Sequence, residues 1–253
     1  MDVYLAAASL QPFVFHGRND LGKLLLLESF FYASKRMQEI IPYAEKLLLD
    51  SGAFTFVNSR KNETVDWNEY VDRYAEFIKS NNISLFFELD IDKLIGYGNV
   101  LKLRKRLELK TGRQCIPVWH KSRGKQAFSD MCKEYSYISI GGLVGAGGAG
   151  AGAYSSALQK YFPWFIDIAH ENGAKIHALG FTSLEGLRKY HFDSVDSTSW
   201  KSGNRFGGVY QFNGESINHI QKKKNQRMTN TRELLCHNFN EWVKFQRYAK
   251  EYL

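Results

Sequence analysis

Leu47-Leu48-Leu49-Asp50-Ser51-Gly52-Ala53-Phe54 reads as a buried strand that stops at a carboxylate. Three consecutive leucines leave the strand without a polar face, and Gly52 lets the backbone turn sharply against a ligand. The arrangement recurs in His191-Phe192-Asp193-Ser194-Val195-Asp196-Ser197-Thr198-Ser199-Trp200, where a short β-rich run ends at Asp196 and small hydroxyl residues follow. A strand terminus is where a nucleophile is placed, so two strand-end aspartates point to carboxylate chemistry at one rim. Asp50 suits equally well a cap on the following turn, through the Ser51 and Gly52 amides. Asp193 competes with Asp196, and the alternation from Phe192 to Val195 does not decide between them.

Outward from Asp50 the chain alternates. Strands are expected at Val3–Ala8, Leu47–Asp50, Ser84–Asp90, Cys115–His120, Tyr137–Leu143, Lys175–Phe181, Ser194–Ser197 and Phe206–Phe212. Helices are expected at Leu24–Tyr43, Trp67–Lys79, Val100–Lys110, Ala127–Tyr135, Ser155–Glu171, Leu184–Tyr190 and Arg232–Tyr252. In the second of these, Tyr70, Val71, Tyr74, Phe77 and Ile78 share one face at helical spacing. Strands separated by helices imply an α/β fold, a single-domain (β/α)8 TIM-like barrel over residues 1–253, with functional groups at the strand C-termini. Those ends carry Asp50, Asp90, His120, Gly141-Gly142-Leu143, Leu179-Gly180 and Asp196, which a closed barrel brings to one mouth.

A chain of 253 residues that is 44% hydrophobic can bury one substantial core. Its apolar runs fall well short of the roughly 20 residues that span a bilayer, and Asp2 near the start is unlike a secretory leader. No membrane association and a cytoplasmic location are therefore expected. Cys115, Cys132 and Cys236 are too scattered for a disulfide framework or a zinc site, so no metal is expected. The formal charge of +8 favours a polyanionic partner. Lys102, Arg104, Lys105 and Arg106 read as a solvated helix face. The groups Lys121, Arg123, Lys125 and Lys222, Lys223, Lys224, Arg227 follow strand ends and suit phosphate contact.

Glu88, Asp90 and Asp92 alternate onto one face, of which Asp90 is chosen for the pocket. His120 has no second ligand nearby in sequence and reads as a pocket or phosphate-contacting residue. Gly145 to Ala153 lacks the Gly-Lys-Ser/Thr ending of a phosphate loop and reads as a flexible connection over the mouth.

In order, these motifs resemble the tRNA-guanine transglycosylase superfamily, and within it the shorter phage DNA-guanine transglycosylases that put 7-deazaguanine derivatives into DNA. Asp50-Ser51-Gly52-Ala53-Phe54 resembles the family's Asp-Ser-Gly-Gly-aromatic segment, and Ile140-Gly141-Gly142-Leu143 its Ile-Gly-Gly-Leu strand. Leu179-Gly180 is similar to its Met-Gly, and Phe192 to Gly207 to its Asp-x-Phe-Asp segment with the basic loop that follows. The resemblance implies Asp196 as nucleophile, with Asp50 binding the heterocycle and moving a proton. It implies that Phe54 stacks on the base, that Asp90 reads its guanine-like edge, and that Gly142, Leu143, Leu179 and Gly180 line the pocket. His120 stands where the family commonly has a glutamine. No Cys-x-Cys-x-x-Cys zinc motif occurs in the sequence, which favours DNA over tRNA, with a free 7-deazaguanine base as co-substrate. Lys201, Arg205, Lys222, Lys223, Lys224 and Arg227 would then track the phosphate backbone.

The chemistry is self-consistent. An ionised carboxylate attacks C1′ without a partner base, and guanine departs once its developing charge is protonated or hydrogen-bonded. A second attack by the incoming base gives retention, as in retaining glycosidases, and needs no cofactor. A glycoside hydrolase and a non-catalytic nucleic-acid-binding paralogue are the alternatives from other classes.

Overall fold

The computed structural model describes residues 1–32, 35–52, 55, 65–141, 159–181, 183–201, 208–221 and 230–253. Eight parallel strands form one sheet: β1 (Asp2–Ala6), β2 (Leu24–Ser29), β3 (Ala44–Asp50), β4 (Leu85–Phe86), β5 (Val118–Trp119), β6 (Tyr137–Ile140), β7 (Lys175–Ala178) and β8 (Ser194–Ser197). Neighbours follow the order β4-β3-β2-β1-β8-β7-β6-β5. The two ends of that order meet, because the Glu88 amide donates to the Ile116 carbonyl at 3.1 Å and the Ile116 amide to the Phe86 carbonyl at 2.8 Å. A parallel bridge between Phe87 and Ile116 closes the ring into a (β/α)8 barrel.

Two expected elements are corrected. Leu24–Tyr43 is not one helix: Leu24–Ser29 is β2, paired on both sides, and among the described residues of that segment α-helix covers Lys35–Ile40. Four successive leucines have no helical periodicity to lose and are buried as a central parallel strand requires. The segment expected to supply the eighth strand instead forms β9 (Gly208–Phe212), which pairs antiparallel with β10 (Ile217–Gln221) outside the barrel. The strand count was right and its membership was not.

Alternation sorts the side chains into two layers. Tyr4, Ala6, Leu25, Leu27, Leu48, Phe87, Ile116 and Val118 form the cluster inside the barrel. Their sequence neighbours Val3, Leu5, Leu24, Leu26, Trp119, Ile138, Ile140, Ile176 and Val195 pack outward against the helices.

The helices are α1 (Lys35–Ile40), α2 (Trp67–Ser80), α3 (Asp92–Ile95), α4 (Tyr97–Thr111), α5 (Gly124–Glu134), α6 (Phe162–Glu171), α7 (Leu184–Lys189) and α8 (Thr231–Tyr252). Asp66 caps α2 by accepting from the Asn68 and Glu69 amides at 2.9 and 3.1 Å, and the helix buries Tyr70, Val71, Tyr74 and Ile78 as their spacing predicts. Its Tyr74 hydroxyl donates to the Leu49 and Phe87 carbonyls, tying β3 to the end of β4. Helix α8 seals the floor: Gln246 accepts from the Leu25 amide at 3.1 Å and donates to the Val3 and Leu25 carbonyls at 2.7 and 2.8 Å. No helix among the described residues is long and apolar enough to cross a membrane.

Candidate active site

Inward parity places Asp50 above Leu48, and Asp196 above Ser194, at the C-terminal mouth of the barrel. Burial and the charge of Asp90 push the Asp50 pKa up to about 7, against a hydrogen bond from the Gly52 amide, and the charge of Asp196 adds to the rise. Asp50 is therefore both a turn cap and a carboxylate that feels the charges of Asp90 and Asp196. Gly52 has φ +83, and a Cβ there would lie 2.4 Å from Phe31 Cβ, so only glycine fits this turn. The Tyr70 hydroxyl donates to the Ser51 carbonyl at 2.6 Å and holds the turn to α2.

Asp90 lies past the end of β4 with its carboxylate 3.1 Å from His120 Nε2, each side chain 19% exposed. Burial raises the Asp90 pKa against the lowering influence of His120, and the charge of Glu88 adds to the rise. The other two carboxylates of that run are occupied elsewhere. Glu88 is fully buried between Arg104 Nε and Arg123 Nη1, both at 2.6 Å, and also accepts from the Val118 amide at 2.7 Å. Asp92 takes Arg123 Nη2 at 2.6 Å. Among the described residues, Asp90 is thus the member of the run that makes no ion pair with an arginine.

Asp196 is 8% exposed. Its Oδ1 accepts from the Gly180 amide at 2.6 Å and lies 3.3 Å from His177 Nε2. Gly180 has φ +68, the left-handed conformation that aims its amide back at β8. Asp193 is at the opposite end of the barrel, where its carboxylate accepts from the Ile176 amide at 2.8 Å and pairs with His170 at 3.0 Å. The structure therefore separates the two aspartates that alternation left undecided.

Leu179 extends β7 onto the interior cluster, its amide donating to the Ile140 carbonyl at 3.1 Å. Lys201 ends the 3-10 turn Ser199–Lys201 after β8, beside Glu28. Phe54, Gly142, Leu143, Arg205, Lys222, Lys223, Lys224, Arg227 and the run from Gly145 to Ala153 lie outside the described residues. Two basic groups are corrected. Arg104 is buried against Glu88 and leaves the solvated face, on which Lys102 and Lys105 are exposed and Arg106 pairs with Asp72 at the surface. Arg123 is likewise buried in ion pairs and cannot contact phosphate.

Two polar residues inside the barrel were not foreseen. His177 and Ser194 sit two residues before Leu179 and Asp196, so the same alternation that placed those residues also points this pair inward. Glu28 was hidden by the helical reading of its segment. It is 1% exposed on the outward face of β2, accepting from the Ser9 amide at 2.9 Å and the Ser9 hydroxyl at 2.6 Å. Burial lifts its pKa to about 7 against those hydrogen bonds and the charge of Lys201. Among the described residues, no group of three or more His, Cys, Asp or Glu is arranged to hold a metal ion.

No protein-family model and no curated protein matches this sequence. Solved structures similar in shape include the carboxyl transferase domain of Rhizobium etli pyruvate carboxylase with oxalate, at 13% identity and TM-score 0.47, covering 98% of this chain and 48% of that one. The same domain without that ligand gives 14% identity and TM-score 0.45, again with 98% and 48% coverage. The chain thus spans under half the length of these structures, and a likeness this distant carries no functional argument.

Proposed function

We propose that this chain is a base-exchange transglycosylase that replaces guanine in DNA with a 7-deazaguanine derivative through a glycosyl ester on Asp196. The observation that carries the reading is the convergence of Asp50, Asp90 and Asp196 on one barrel mouth, in which Asp196 is fixed by the Gly180 amide and Asp50 is held near neutrality.

In the first displacement an Asp196 oxygen bonds to C1′ while the C1′–N9 bond breaks and its electron pair leaves with guanine. Asp50, a substantial fraction of which is protonated at neutral pH, delivers the proton that the departing base requires. In the second, Asp50 as carboxylate takes a proton from the incoming base, whose nitrogen attacks C1′ and expels Asp196. Two inversions give net retention. Asp90, paired with His120, accepts from the N–H edge of the base.

The basic residues after β8 and the net charge of +8 favour a nucleic-acid backbone, here taken to be DNA. The site of action on this reading is the cytoplasm, that of the host if the protein is phage-borne. Incubation with labelled guanine and either DNA or tRNA at matched salt tests it. Label entering DNA is expected, label entering only tRNA would transfer the reading to that polymer, and label entering neither would overturn it.

A further inference from the structure

Beneath Asp196 a row of hydrogen-bonded side chains descends into the barrel, past the largely apolar interior cluster. His177 Nε2 faces Asp196 Oδ1 at 3.3 Å, and His177 Nδ1 is 2.6 Å from Ser194 Oγ. Ser194 in turn bonds to the Tyr137 hydroxyl, which bonds to Tyr4. His177 is fully buried, clamped by Phe87 at 5.4 Å and Tyr4 at 6.1 Å between ring centroids. TIM-barrel interiors are ordinarily filled by branched apolar side chains, and a buried polar row is costly unless every member is satisfied. Aspartate, histidine and serine in contact also compose a hydrolase triad, but the order is reversed here. Ser194 is 1% exposed and lies deepest, whereas Asp196, at 8%, is the member at the mouth.

The directions of the hydrogen bonds follow from the ends of the row. A carboxylate only accepts, so the nitrogen facing Asp196 carries the proton and Nδ1 is left to accept from the Ser194 hydroxyl. Ser194 Oγ then accepts from the Tyr137 phenol, whose O–H is secured because burial raises its pKa. Both hydrogen bonds described for Asp196 fall on Oδ1, from Gly180 and from His177.

We propose that His177 is a positioning residue for Asp196, its tautomer set by Ser194 and Tyr137, so that Oδ1 is anchored from below and Oδ2 is presented to the mouth as the attacking oxygen. This inference rests on the base-exchange reading for the word attacking, and on geometry alone for the anchor. His177→Gln keeps a donor within reach of Oδ1, whereas His177→Phe keeps the bulk of the ring and removes the donor.

The test has two arms. In 15N-histidine-labelled protein, ring nitrogen shifts assigned through His177→Gln should show Nε2 protonated, and Asp196→Asn should move them. An Nε2 without a proton overturns the inference whatever the activity. In single-turnover exchange with DNA, His177→Phe should slow formation of the covalent adduct roughly 10- to 100-fold with KM unchanged, and His177→Gln should recover most of that rate. Equal rates for His177→Phe and wild type, both folded by circular dichroism, overturn it. If wild type forms no adduct although Nε2 is protonated and responds to Asp196→Asn, the anchor is supported and the base-exchange reading is what fails.

Discussion

Two acids in this barrel are held near neutrality for different ends. Glu28, on the outer face of β2, serves the turn after β1 through Ser9, and Asp50 serves the mouth. Both have folded-state pKa values raised to about 7, so each favours folding while protonated. Their contribution is fully present below the unfolded carboxylate range near pH 4 and is lost as pH rises towards about 7, where the curve flattens. Denaturant titrations from pH 4.5 to 8 should therefore show Glu28→Gln gaining stability over wild type with pH, reaching roughly 1–3 kcal/mol at pH 8. A gap that stays constant with pH would contradict the raised pKa. At the mouth, Asp90→Asn turns an acceptor into a donor. Calorimetry with free guanine should show binding weakened by about 1–3 kcal/mol, and unchanged affinity would remove Asp90 from base recognition.

At the scale of the element, the segment from Glu88 to Asp92 joins the sheet through Glu88 and is held beyond it by α4 and the turn after β5. Arg104 and Arg123 grip Glu88, Arg123 continues to Asp92, and its guanidinium lies 4.4 Å from the Tyr97 ring centroid. Arg123→Met leaves a buried carboxylate with one cation in place of two. Urea titration should show a loss of about 3–5 kcal/mol, and a loss under 1 kcal/mol would mean that the pair is solvated. This network also marks where sequence reading stops. The strand end at Asp50 was legible because an apolar run stops there and a turn follows, whereas Asp196 was preferred to Asp193 only through the family resemblance. Glu88, Asp90 and Asp92 were not separable by alternation because the strand has already ended at Phe86. Leu24–Ser29 was misread because an unbroken apolar run carries neither the helix nor the strand period, and only its partners on both sides make it β2.

For the whole molecule, ring closure turns scattered strand ends into a site. Asp50, Asp90 and Asp196 are spread over much of the chain, and the cyclic order of the strands carries them to one mouth. The barrel and its rim were legible from the alternation of strands and helices, whereas the interior row from His177 to Tyr4 depends on contacts across β1, β6, β7 and β8 that no local pattern records. If the proposed base exchange holds, a target base must leave its stack to reach carboxylates at the mouth, so exchange on unpaired DNA should exceed exchange on duplex, and the rate at limiting DNA should fall steeply with salt. Rates indifferent to salt and to pairing would exclude a nucleic-acid backbone as the bound polymer. The most direct measurement is a denaturing gel of protein incubated with guanine-containing DNA in the absence of incoming base. A covalent protein–DNA band with wild type and with Asp193→Asn, absent with Asp196→Asn, is the predicted result; a band that survives Asp196→Asn would contradict the account.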